Sequence, residues 1–227
     1  DVERSRGLGD VYKRQPHKVK VIEYLDGLGE SASLMKAVNC VVQKDGLWIG
    51  ENTDGKGFIS SLQEITDPMD KKIVIFGAGG AARAISVEVA LSGAASITIV
   101  NRSTLRGEEL TTLLTDKLPC SADFVSWEGT YSIPSDTDVV INATSIGLFP
   151  DFEARLDYNP DSLLSRMVVA DVIPNPPSTP FVREARKKGC KAIDGLGMLV
   201  SQGVIGIQHW TGMKPDSAVM RLSLIHI

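Results

Sequence analysis

Gly77, Gly79 and Gly80 follow four apolar β-formers, Ile73-Val74-Ile75-Phe76, and lead into Ala81-Ala82-Arg83-Ala84. Glycines so placed let a chain turn sharply out of a strand and bring its backbone against a pyrophosphate at a helix N-terminus. The pattern is G-x-G-G-A-x-x-A rather than G-x-G-x-x-G, so its weight comes from context. That context is a βαβ unit, because a second apolar run, Ile97-Thr98-Ile99-Val100, follows after one helix length. Enzymes that take NAD place Asp or Glu after this second strand to bind the ribose 2′-hydroxyl, and such a carboxylate repels a 2′-phosphate. Here the chain has Asn101-Arg102-Ser103-Thr104-Leu105-Arg106 instead. Arg102 and Ser103 can contact a phosphate, with Arg106 about one helical turn beyond. Two arginines at a helix start oppose the macrodipole and so call for an anionic partner. The expected cofactor is NADP.

The elements that must position these groups read as a doubly wound parallel sheet. A helix is predicted around residues 105 to 118 and a short strand at 124 to 127. Strands at 138 to 142 and 167 to 171 follow, the first running into Ala143-Thr144-Ser145-Ile146-Gly147, a loop expected under the cofactor. Thr179 is expected to cap a helix whose basic end, Arg186-Lys187-Lys188, suits the negative dipole terminus. Upstream, the apolar spacing of residues 19 to 28 predicts a helix ending at Gly29. A hairpin at 37 to 50 turns on Asp45-Gly46, and residues 57 to 65 read as an amphipathic helix. Thr66-Asp67-Pro68 is the expected linker. The glycine-rich segment from Asp194 to Gly206 reads as a loop entering a largely apolar, mostly buried helix, with Gln202 its polar exception.

Composition narrows the field. A chain of 227 residues with 43% hydrophobic and 23% charged residues can bury a sizeable core. A net charge of -4 argues against nucleic acid as a partner. Three cysteines, Cys40, Cys120 and Cys190, stand far apart without metal-ligand spacing, so neither a disulfide framework nor a metal site is expected, and a reducing cytoplasm fits. No apolar run is long enough to span a bilayer. Residues 10 to 15 and 222 to 227 can be encoded by opposite strands of one DNA segment that resembles a sequencing-library adapter. Residues 1 to 15 and 222 to 227 are therefore expected to be a non-native leader and tail, and the fold is read from residues 16 to 221.

Across that span Pro16-x-Lys18, Ala37-Val38-Asn39, Asn52-Thr53-Asp54-Gly55, Gly77-Ala78-Gly79-Gly80-Ala81, Asn101-Arg102-Ser103, Asn142-Ala143-Thr144-Ser145 and Asp194-Gly195-Leu196-Gly197-Met198-Leu199-Val200-x-Gln202 occur in order. The chain thereby resembles the shikimate dehydrogenases. The resemblance implies a Rossmann domain at 66 to 192, a substrate-domain remnant at 16 to 65, and a segment at 193 to 221 returning to it. It implies NADPH-dependent reduction of 3-dehydroshikimate to shikimate. Lys18 and Asp54 become the expected catalytic pair, with Asn39 and Gln202 as substrate ligands, and Thr144, Gly195 and Met198 join the expected cofactor contacts. The chemistry suits the assignment: hydride transfer to a ketone creates an alkoxide that an ammonium paired with a carboxylate can protonate. Taken singly, Lys18 also reads as a surface lysine, Asp54 as a turn residue, Asn39 as a polar strand residue and Gln202 as a helix-terminal amide.

The departures from the family pattern bear on substrate. Pro174 stands where the family usually has a tyrosine. The serines and threonine that the family uses to grip the substrate carboxylate fall upstream, with Arg14 in the threonine's place; about two βαβ units of about 30 residues each are expected to be missing. Quinate or aminoshikimate dehydrogenase is the alternative within the superfamily, and a non-catalytic nucleotide-binding regulator is the alternative of another class. The partner is a small molecule, and the assembly a monomer or homodimer.

Overall fold

The computed structural model describes residues 17 to 225. Pro16, the expected leader, and residues 226 and 227 lie outside the described residues. The apolar run Ile73-Val74-Ile75-Phe76 belongs to β4 (Lys72–Phe76), the centre of a six-stranded sheet. Around it run β5 (Ser96–Asn101), β6 (Ser121–Ser126), β7 (Val139–Asn142), β8 (Val168–Asp171) and β9 (Lys191–Ile193) in the order β6-β5-β4-β7-β8-β9, every neighbour parallel. This is the expected doubly wound α/β sheet, and its order reverses between β4 and β7, where such sheets bind ligands.

Side-chain alternation explains why these strands are apolar on both faces. Ile73 and Ile75 of β4, Ile97 and Ile99 of β5 and Val139 and Ile141 of β7 enter one core with Ile85, Leu110 and Leu114. Their neighbours Val74, Phe76, Val100 and Val140 enter a second core with Met167, Phe181 and Ala185. Helices α3 (Gly80–Leu91) and α4 (Thr104–Lys117) cover the first face, and α5 (Pro180–Lys187), capped by the Thr179 hydroxyl, covers the second.

The smaller part is a three-stranded sheet of β1 (Gly27–Leu28), β2 (Cys40–Lys44) and β3 (Leu47–Glu51), ordered β1-β3-β2. The hairpin β2-β3 turns on Asp45 and Gly46, both at positive φ, as expected. The helix expected over residues 19 to 28 does not form. Residues Lys20–Tyr24 make a 3-10 turn, Gly27–Leu28 pairs parallel with β3, and Gly29 starts helix α1 (Glu30–Met35) rather than ending one. The physical reason is competition: Asp26-Gly27 is a poor helix interior, and the extended chain gains ladder bonds to β3. Helix α2 (Thr53–Gln63) begins four residues before its expected start at Gly57, because the Asn52 side chain accepts from the Asp54 amide and caps it.

The last helices are α6 (Gly195–Thr211) and α7 (Ser217–Ile225). Helix α6 packs along α2, and the Trp210 indole donates to the Val41 carbonyl at 2.9 Å, tying its far end to β2. It is less buried than expected: Leu196, Val200 and Val204 face inward, while Leu199, Gln208 and His209 meet solvent. Among the described residues no helix is long and apolar enough to cross a membrane, and the three cysteines are all buried.

Candidate active site

Helix α2 starts with Asn52 as cap, which places Thr53 and Asp54 in its first turn, where the helix dipole favours a negative charge. The Lys18 ammonium comes from the chain just ahead of the 3-10 turn and reaches Asp54 Oδ2 at 2.7 Å, both side chains about a quarter exposed. Asn39, just ahead of β2, is 2% exposed and reaches the same carboxylate from the other side. Its Nδ2 donates to Asp54 Oδ1 at 2.7 Å and to Thr53 Oγ1 at 3.2 Å, and its Oδ1 accepts from the Thr53 amide at 2.8 Å. The expected Lys-Asp pair is thus assembled. Asn39, expected as a substrate ligand, has its amide engaged on the start of α2, and its first effect is to aim Asp54.

Lys18, Asn39, Asp54 and Gln202 line one cavity of about 350 Å³, whose remaining wall is Val172, Pro174, Gly195, Met198 and Leu199. Gln202 donates to the Leu199 carbonyl at 2.8 Å within α6, and its amide oxygen can still accept from a ligand in the cavity that it lines. Gly195 and Met198, expected as cofactor contacts, stand at the start of α6 and line this cavity.

The dinucleotide groove, about 490 Å³, lies at the C-terminal ends of β4, β5 and β7 and is lined by Gly77, Gly79, Gly80, Ala81, Asn101, Arg102, Arg106 and Thr144. Val172 and Pro174 belong to both cavities. Gly77 has φ +110°, and a Cβ there would stand 2.8 Å from the Ala143 carbonyl oxygen, so the turn needs glycine. At Gly79 and Gly80 a Cβ would meet no protein atom, and no side chain caps α3. The first amides of α3 therefore open onto free space at a helix N-terminus, and a pyrophosphate fits there. Ser103 lies apart from the groove lining: its Oγ caps α4 by accepting from the Arg106 amide at 3.5 Å, and its carbonyl accepts from Asn101 Nδ2 at 2.9 Å.

Sequence reasoning missed Trp127. It follows β6, and its ring lies 5.9 Å beneath the Arg102 guanidinium in a cation–π contact on the groove wall. Its indole donates to the Asp157 carbonyl at 2.8 Å, which fixes the ring. The signal was available: residues just past the C-terminal ends of parallel strands face the cleft. Leu148 and Ile173, also groove-lining, carry no signal of type or spacing.

Comparison with known proteins fits this geometry. A family model for the shikimate 5'-dehydrogenase C-terminal domain matches residues 195–223. A curated shikimate dehydrogenase (NADP(+)) from Shouchella clausii is 36% identical over 99% of this chain and 81% of its own length. This chain belongs to the shikimate dehydrogenase family. Two solved structures are similar to this chain. One, a 5-ketofructose reductase of Gluconobacter in ligand-free form, is 52% identical with a TM-score of 0.91, covering 94% of this chain and 76% of that one. The other, a shikimate dehydrogenase in complex with NADP+, is 37% identical with a TM-score of 0.82, covering 94% and 74%.

Proposed function

We propose that this member of the family is an NADP-dependent oxidoreductase that interconverts a secondary alcohol and a ketone on a polyhydroxylated substrate, with shikimate and 3-dehydroshikimate as the pair. The observation that carries the reading is the Lys18–Asp54 pair, set in a cavity that shares Val172 and Pro174 with a dinucleotide groove. NADPH, when bound, supplies the hydride. Lys18 then gives a proton to the oxygen that becomes a hydroxyl, and Asp54 holds the ammonium in line and offsets its charge. Asn39 fixes the Asp54 carboxylate, so the proton donor meets the substrate in one orientation. Gln202 Oε1 accepts from a ring hydroxyl, while Val172, Pro174, Met198 and Leu199 keep water from the reacting carbon. Arg102 and Arg106 support the choice of NADP. The work is that of a cytoplasmic enzyme, as a monomer or homodimer.

A second reading, reduction of a ketose, is favoured by the 52% identity to the 5-ketofructose reductase, against 36% and 37% for the two shikimate dehydrogenases. Pro174 supports it, since a proline where the shikimate dehydrogenases usually have a tyrosine offers no side-chain hydrogen bond to a substrate group. The two readings differ in whether the substrate bears a carboxylate. Reduction of 3-dehydroshikimate and of 5-ketofructose with NADPH, compared by kcat/KM, decides between them. Made on the protein extended at its N-terminus to the length of its curated relatives, the comparison overturns both readings if the folded protein binds NADPH and turns over neither.

A further inference from the structure

The wall shared by the two cavities hangs on a buried carboxylate. Asp171, at the end of β8, is 1% exposed, and Asn142, at the end of β7, is fully buried. Asn142 Nδ2 donates to both Asp171 oxygens at 3.1 Å, the Ile173 amide donates to Oδ1 at 3.0 Å, and the Thr179 hydroxyl to Oδ2 at 2.7 Å. Each of these donors is neutral. Burial pushes the Asp171 carboxyl up, and the Thr179, Ile173 and Asn142 donors pull it part of the way back.

The same network continues under the groove. Asn142 Oδ1 accepts from the Thr144 amide at 3.0 Å and from its hydroxyl at 2.7 Å, and the Thr144 hydroxyl accepts from the Ile146 amide at 3.1 Å. On the other side, the chain that Asp171 holds at Ile173 is the surface on which α6 begins. A Cβ at Gly195 would stand 2.6 Å from the Val172 carbonyl carbon and closer still to Ile173. One carboxylate thus ties the loop carrying Thr144, the loop carrying Val172 and Pro174, and the Thr179 cap of α5.

We propose that Asp171 is a positioning residue: it fixes the loop between the dinucleotide groove and the substrate cavity, so that both binding steps depend on it although it touches neither ligand. The proposal rests on the assignment of the two cavities made above. A carboxylate suits this post because every group around it donates. An amide in its place would set an N–H2 against those donors and release at least one loop.

The test uses the full chain. NADPH affinity is read by energy transfer from tryptophan, Trp127 standing in the groove, and ketone KM and kcat are measured alongside. Asp171→Asn and Thr179→Val are expected to raise the NADPH Kd about tenfold, and Thr179→Ser, which keeps the hydroxyl and the cap, to stay within about twofold. Ketone KM should rise in the same two variants while the pH profile of kcat stays put, since Lys18 and Asp54 are untouched. A folded Asp171→Asn protein with the parent's NADPH Kd overturns the proposal, as does equal damage from Thr179→Ser and Thr179→Val. If Asp171→Asn does not fold, the Thr179 pair decides. If the parent reduces no ketone, the NADPH arm alone judges Asp171, apart from the proposed function.

Discussion

Lys18 and Asp54, 36 residues apart in sequence, meet at 2.7 Å, and the carboxylate oxygen that Lys18 leaves free is taken by Asn39. Such a pair can pass a proton without either partner leaving its place. In the enzyme extended to the full length of its curated relatives, Lys18→Ala is therefore expected to lower turnover by about 100-fold or more while the NADP Kd stays near the parent value. Steady-state kinetics and cofactor titration on the same preparation check both parts. Unchanged turnover removes Lys18 from the mechanism.

Asn39 carries a different expectation. Its side chain bonds to Asp54 and to both the amide and hydroxyl of Thr53, all at a buried position. Asn39→Ala leaves the Thr53 amide without its partner and frees the carboxylate, which costs about 1 to 3 kcal/mol of stability. Asn39→Asp keeps the size but sets a second carboxylate against Asp54. Like charges so close repel, and the Asn39 donor is lost as well, so Asn39→Asp is expected to lower kcat by about tenfold or more, read by steady-state kinetics. An unchanged kcat means that Asn39 does not aim Asp54.

The large sheet was legible in the sequence because burial on both faces leaves no room for ambiguity. Ile73 to Phe76 and Val139 to Ile141 are apolar at every position, and each residue is 0 to 2% exposed. The start of the small sheet was not legible. Val19, Val21, Ile22, Leu25 and Leu28 carry near-helical spacing, yet β1 exists only because β3 lies beside it, and a pairing of distant segments leaves no local trace. The site shows the same division. Residue types named Lys18 and Asp54 through their resemblance to the family, and the turn at Gly77 through its own chemistry. Which way the Asn39 amide faces, and that Trp127 lies under Arg102, follow from tertiary placement alone.

Glu88 on α3 makes stability depend on pH. It is 8% exposed, its Oε1 has no hydrogen-bond partner, and burial raises its carboxyl above the ordinary 4.5. Ser31 and Lys56 nearby ease the charge, and Glu30 and Glu51 oppose it. A raised acid binds more protons folded than unfolded, so stability is lost as pH rises from the ordinary value through the raised one. Glu88→Gln removes that loss. Its Tm should exceed the parent's at about pH 7.5 by more than at about pH 4. A Tm difference that does not change with pH assigns the effect to packing instead.

Cofactor choice rests on the edge of the groove past β5. Arg102 is exposed, held over the Trp127 ring at 5.9 Å, and Arg106 lies on the same groove wall in the first turn of α4. A cation–π contact uses the guanidinium charge without consuming its N–H donors, so a 2′-phosphate can take them, and the ring limits the conformations Arg102 would lose on binding. Among the described residues no carboxylate lines this groove, so the carboxylate that NAD enzymes use to select a ribose 2′-hydroxyl has no counterpart in its lining. Arg102→Asp is expected to weaken NADP binding by about 2 kcal/mol or more, through a lost charged hydrogen bond and added repulsion, and to change NAD binding far less. Arg102→Lys should fall between, since an ammonium keeps the charge but not the planar stack on Trp127. Titration of each protein with NADP and NAD measures this. Equal affinity of the unmutated chain for the two cofactors would overturn the assignment to NADP.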